Sequence, residues 1–66
     1  MPKKSMTPKQ LVKLLKKNDF VFLRQRGSHA MFKNEKKKRK VTVPMHAKDI
    51  PTGTLHAILK DAGIKL

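Results

Sequence analysis

The sequence predicts an α+β fold of order αβββα: a three-stranded antiparallel sheet with two helices on one of its faces. Three observations carry this. Leucines at helical spacing follow residue 7, a second helical stripe runs from residue 55 to residue 62, and three short strand-like runs lie between them, separated by turn residues. Two amphipathic helices can bury their stripes against one face of such a sheet while the other face stays in water.

The first helix is predicted to begin at Pro8. Thr7 offers an N-cap hydroxyl, Pro8 occupies the first helical position where a missing N–H costs nothing, and Gln10 completes a capping box. Leu11, Leu14 and Leu15 form one apolar stripe, with Lys9, Lys13, Lys16 and Lys17 between them, and Asn18-Asp19 stops the helix. The first strand runs from Phe20 to Gln25. Its residues Phe20, Val21, Phe22 and Leu23 are apolar on both faces, which predicts a central or well-covered strand. Arg26-Gly27 turns the chain, since glycine takes a positive φ without steric cost, and His29 to Asn34 returns as the second strand. After the charged connection 34–38, Arg39 to Met45 forms the third strand. There Val41, Val43 and Met45 point one way, Lys40 and Thr42 the other. Residues 45–50 read as a loop. The second helix opens at Pro51-Thr52-Gly53-Thr54, with Leu55, Ile58, Leu59 and Ala62 as its stripe and Gly63 just past its end.

The 66 residues form a single domain, 1–66, whose first six are expected to be a loose basic tail. A chain of this size buries a small core, with a net stability of about 3–10 kcal/mol. There is no cysteine, so disulfides and thiolate metal sites are excluded. No apolar run is long enough to span a bilayer and the N-terminus lacks the apolar centre of a signal peptide, which points to the cytoplasm and away from the membrane. Charge dominates the composition: 17 Lys and Arg against 4 Asp and Glu, a net +13. Self-repulsion at that density is best explained by a polyanionic partner, nucleic acid first, and an acidic protein partner fits the same charge.

Within this frame, Gly27-Ser28-His29-Ala30-Met31-Phe32 carries the chemistry. Side chains alternate across a strand, so His29, Met31 and Lys33 share one face while Ala30 and Phe32 share the other. With Phe32 packed under the helices, His29 faces solvent. Imidazole changes charge near neutral pH, and in its neutral form it can take a proton from an RNA 2′-hydroxyl, in its charged form return one to a leaving 5′-oxygen. The residues alone equally allow a hairpin histidine that bonds a neighbouring strand. Gly27 and Ser28 would let the backbone approach a phosphate, and Arg24, Arg26 and Lys33 are placed to meet one. Lys36, Lys37, Lys38, Arg39 and Lys40 form a cationic run suited to tracking phosphates without reading sequence. His46 lies in the loop before the second helix, where it could assist at the site but reads first as a structural or exposed residue, and His56, between stripe positions of the second helix, reads as surface. The three histidines lack ligand spacing and a nearby carboxylate, so neither a metal nor another cofactor is expected. There is no Trp or Tyr, and the three Phe read as core, so recognition should rest on phosphate and shape.

Gly-Ser-His-x-x-Phe at 27–32, Val-Thr-Val-Pro at 41–44 with His46 two residues on, and Gly-Thr-Leu-x-x-Ile-Leu-x-x-Ala-Gly at 53–63 together resemble the HicA family of toxin ribonucleases. The likeness covers nearly all of the chain after Met6. It implies a double-stranded-RNA-binding-domain-like fold, ribosome-independent cleavage of messenger RNA, and neutralisation by a HicB-like antitoxin; with no metal-ligand set among the residues, that cleavage is expected to be metal-independent. It also implies that His29 is the catalytic residue, because the glycine-serine-histidine motif matches there without a gap. The alternatives left by the sequence are a non-catalytic RNA-binding module of the same fold and a basic scaffold protein that coats an anionic complex such as the ribosome.

Overall fold

A computed structural model describes residues 6–65, which form α1 (Pro8–Lys17), β1 (Val21–Arg26), β2 (His29–Asn34), β3 (Arg39–Pro44) and α2 (Thr52–Ala62). The α+β class and the αβββα order are those the sequence predicts. At the start of α1 the capping box closes as read: the Gln10 N–H donates to Thr7 Oγ1 at 3.1 Å, and the Thr7 N–H donates to Gln10 Oε1 at 3.0 Å. Asn18 ends the helix, and Asp19, at a φ of 69°, reverses the chain into Phe20. Of the tail expected over residues 1–6, only Met6 lies among the described residues, and it pairs with Ile50: the Ile50 N–H donates to the Met6 carbonyl at 2.8 Å. The remainder, 1–5, lies outside them.

The sheet has the order β1-β2-β3, all antiparallel, so β2 is the central strand. Leu11 and Leu15 from α1, Ala30 and Phe32 from β2, Val41 and Val43 from β3, and Leu55, Ile58, Leu59 and Ala62 from α2 join one buried cluster with Phe20 and Ile50. Both helices therefore cover the same sheet face. Each of the larger side chains contributes about 1.5–3 kcal/mol by leaving water. The α2 stripe is the one read from the sequence, and Gly63 closes it at a φ of 72°.

One strand departs from expectation. The apolar run of β1 predicts a covered strand, yet β1 is an edge strand with all six residues exposed, Val21 and Phe22 at 53% and Leu23 at 38%. Both helices pack on β3, and β1, two strands away, lies beyond their cover. Phe20, read as the strand's first residue, precedes it and is the buried one. Phe22 keeps only an edge-to-face contact with Phe32, the ring centroids 5.7 Å apart.

Two polar devices tie one end of the sheet, where Asn34 pairs with Arg39, to the helices. Asn34, 2% exposed, donates from Nδ2 to the Asn18 carbonyl at 3.0 Å and accepts the Lys37 N–H on Oδ1 at 3.0 Å. Arg39 donates from Nη1 to the Asp61 carbonyl at 3.0 Å, satisfying an orphan acceptor at the α2 C-terminus. Its guanidinium lies so close over Gly63 that a Cβ there would meet Arg39 Nε at 3.0 Å.

Candidate functional site

The sequence motif around His29 folds as the tightest connection in the chain. β1 ends at Arg26, β2 begins at His29, and Gly27-Ser28 alone joins them. Gly27 has a φ of 58°, which places glycine at the first central position of the two-residue turn. The Gln25 side chain donates to the Gly27 carbonyl at 2.8 Å, and the Met45 N–H donates to the Ser28 carbonyl at 2.6 Å. The turn is thereby pinned from β1 and from the end of β3.

His29 lies between two neighbours in the sheet, paired with Arg26 on β1 and with Pro44 on β3. It is exposed, while Ala30, Phe32 and Asn34 alternate with it as buried residues, so His29 faces away from the helices as the alternation predicts. Among the described residues the imidazole makes no hydrogen bond or ion pair, leaving both ring nitrogens open to a ligand.

The arginines reach this face through an irregularity that no residue pattern announces. The β1–β2 register slips between Phe22 and Arg24, where Leu23 is the extra residue: Phe22 pairs with Phe32, Arg24 with Met31 and Arg26 with His29. Directly paired residues share a face. An unbroken alternation would keep Phe22, Arg24 and Arg26 together. The bulge instead leaves Phe22 on the helix side and puts Arg24 and Arg26 on the side of His29. Lys33 and Lys40 pair with each other on that open face, Lys33 about 13 Å from His29 at the usual rise per residue. No strand contains an acidic residue.

At the far end of the sheet, Lys36, Lys37 and Lys38 are exposed in the β2–β3 turn, with Lys38 at a φ of 54°. A shallow cavity there is lined by Lys33, Asn34, Glu35, Lys38, Arg39 and Lys40. Its carboxylate, Glu35, holds Lys33 Nζ at 3.0 Å in an exposed ion pair, worth at most about 1 kcal/mol and so easily exchanged for a phosphate. Arg39 stands apart from the other cations: it points to the helix side and caps α2. His46 is exposed beyond Pro44 at the same end of the sheet as His29, and His56 is exposed on α2. Among the described residues no three His, Asp or Glu side chains gather into a group that would hold a metal ion.

This arrangement, a gapless Gly27-Ser28-His29 turn on an αβββα frame, coincides with a family model described as the HicA toxin of bacterial toxin-antitoxin, which matches residues 8–64. The chain belongs to the HicA toxin family. Comparison with curated proteins finds no match. Family membership makes the chain a toxin of a toxin–antitoxin system, with an antitoxin as its partner. Among the described residues, no helix of this HicA-family chain is long and apolar enough to cross a membrane.

The sequence brought Arg24, Arg26, Gly27, Ser28, His29, Lys33 and Lys40 into one list, and the sheet gathers them on one face or at its edge. Thr42 and Pro44 complete that face on β3 and were not among the site candidates. The strict alternation of Val41 and Val43 is the signal that places them there.

Proposed function

We propose that this HicA-family chain is an endoribonuclease that cleaves messenger RNA, independently of the ribosome and without a metal, in the cytoplasm, and that a HicB-like antitoxin neutralises it. The observation that carries the reading is the placement of His29: exposed, without a partner among the described residues, fixed by a two-residue turn, and flanked by Arg26 on a face with no acidic strand residue.

The chemistry follows from that placement. A neutral imidazole removes the proton of a 2′-hydroxyl, the 2′-oxygen attacks the adjacent phosphorus, and the 5′-oxygen departs with a proton from water or a second group. The products are a 2′,3′-cyclic phosphate and a 5′-hydroxyl end. Such a positioned base contributes about 10²–10⁴-fold. Arg24 and Arg26 offset the charge that builds on the phosphorane oxygens, and the Gly27-Ser28 backbone admits the phosphate closely. Lys33, Lys36, Lys37, Lys38 and Lys40 hold the strand away from the reacting bond, and Arg39 adds its charge from the helix side.

The test is incubation of the protein and its His29→Ala variant with free messenger RNA in EDTA, with folding of both followed by circular dichroism. Cleavage by the parent and none by a folded variant is expected. Binding without cleavage by either would replace the enzyme with a non-catalytic RNA-binding module, and loss of the parent's activity in EDTA alone would refute the metal-free chemistry.

A further inference from the structure

The large apolar side chains left exposed among the described residues are Val21, Phe22 and Leu23, three in succession. All belong to β1, whose outer backbone edge has no strand beside it among the described residues. The opposite edge of the sheet is treated differently, because β3 lies under both helices and ends in Pro44. β1 is therefore open on both faces and along its edge.

Such a strand calls for an occupant that supplies backbone hydrogen bonds together with apolar cover. A lipid surface offers no partners for the free backbone groups. RNA fits poorly: Val21 lies opposite Lys33 on the cationic face, but Phe22 pairs with Phe32 on the helix side, and a nucleic acid offers no strand to the free backbone edge. A second copy would set two chains of net charge +13 edge to edge, each with Arg24 and Arg26 in the contact. The same charge attracts an acidic chain.

We infer that β1 is a docking edge for an extended, carboxylate-bearing segment of a partner protein, which adds as a fourth strand, covers Val21 to Leu23 and sets its acids against Arg24 and Arg26. In a toxin–antitoxin pair the antitoxin is the protein placed to provide it. Docking here also reaches the candidate site. Arg26 is the cross-strand partner of His29, so the added strand, two strands from the imidazole, withdraws two arginines from an RNA phosphate. That consequence rests on the ribonuclease reading; the docking edge itself does not.

The probe is an eight-residue peptide alternating glutamate and valine, titrated into ¹⁵N-labelled protein while amide shifts are followed by NMR. Saturable shifts are expected at residues 21–26 and their β2 neighbours. Val21→Ser with Leu23→Ser, which leaves the charge unchanged, should weaken binding at least tenfold, and the same peptide N-methylated at every residue should not bind. Shifts centred on Lys36–Lys40, or unchanged affinity in the double variant, would overturn the proposal by showing that charge alone drives binding. Sedimentation equilibrium of the protein alone gives the other refuting result: a dimer that the double variant abolishes would assign the edge to a second copy. RNA cleavage by the double variant, measured in parallel, should equal that of the parent. A parent that binds the peptide through β1 but leaves RNA intact would retain the docking edge and remove the ribonuclease.

Discussion

Replacing Asn34 by alanine should destabilise the domain by about 2 kcal/mol. The side chain is 2% exposed and makes two hydrogen bonds of 3.0 Å, one to the carbonyl that ends α1 and one from the Lys37 N–H in the β2–β3 turn. A neutral hydrogen bond contributes about 1 kcal/mol net, and a partner stranded away from water costs about 1–3 kcal/mol. Asn18 is only half-buried and Lys37 is exposed, so water recovers some of the loss and the low end applies, about 1 kcal/mol for each bond. Against a total stability of about 3–10 kcal/mol this is a large fraction. For a domain of this size, 1 kcal/mol shifts Tm by about 4–8 °C, so thermal unfolding followed by circular dichroism should show a fall of about 8–16 °C. Asn34→Asp keeps the acceptor for Lys37 and loses the donor to Asn18, and should fall by at least half as much. An alanine variant that melts within about 3 °C of the parent would refute the reasoning, because the two bonds would then be replaced by water at no cost.

Three other outcomes follow from the same structure. If five of the seven cations that line the open face and the β2–β3 turn each neutralise one phosphate of single-stranded RNA, log K should fall with log salt at a slope of about −3.5, measured by fluorescence anisotropy; a slope near zero would remove electrostatics from recognition. Gly27→Ala should lower stability by about 1 kcal/mol in urea unfolding, since its positive φ is the cost and no atom lies within 4 Å of the new Cβ. Gly63→Ala should lower it by more, because the added methyl group also crowds the Arg39 guanidinium, 3.0 Å away at Nε, and strains its bond to the Asp61 carbonyl; equal losses at the two glycines would mean that the Arg39 contact contributes nothing.

What the sequence made legible was local. The capping box of Thr7 and Gln10, the leucine stripes, the turn glycine and the alternation around Val41 and Val43 each depend on residues within a turn or a strand of one another, and each recurs in the fold. The orientation of His29 was legible for the same reason, since Phe32 settles which face of β2 is buried. Its chemistry was not: the residues alone left a structural histidine open, and the motif resemblance supplied the ribonuclease reading. The misread strand failed for a non-local reason. Whether Val21, Phe22 and Leu23 are covered depends on how far two helices reach across a sheet, a distance no window of sequence contains. Asn34 looked like one more polar residue in a charged connection because its partner Asn18 lies 16 residues away. Arg39 looked like one of five equivalent cations because its carbonyl partner lies 22 residues away.

The extra residue in β1 has a consequence for the regularity of the sheet's open edge. Leu23 interrupts the ladder between two flanking pairs that are otherwise in step, so its deletion would leave Phe22 opposite Phe32 and Arg24 opposite Met31 in an unbroken strand. Fibrils grow by stacking flat, regular strands in repeat, and an apolar edge such as this one would be a natural seed if it were straight. The bend at Leu23 denies that repeat, and the two arginines that follow repel each added copy. Leu23 thus blunts the edge by its position in the count of residues rather than by its chemistry, and its deletion is expected to raise the tendency of β1 to pair with further copies of itself.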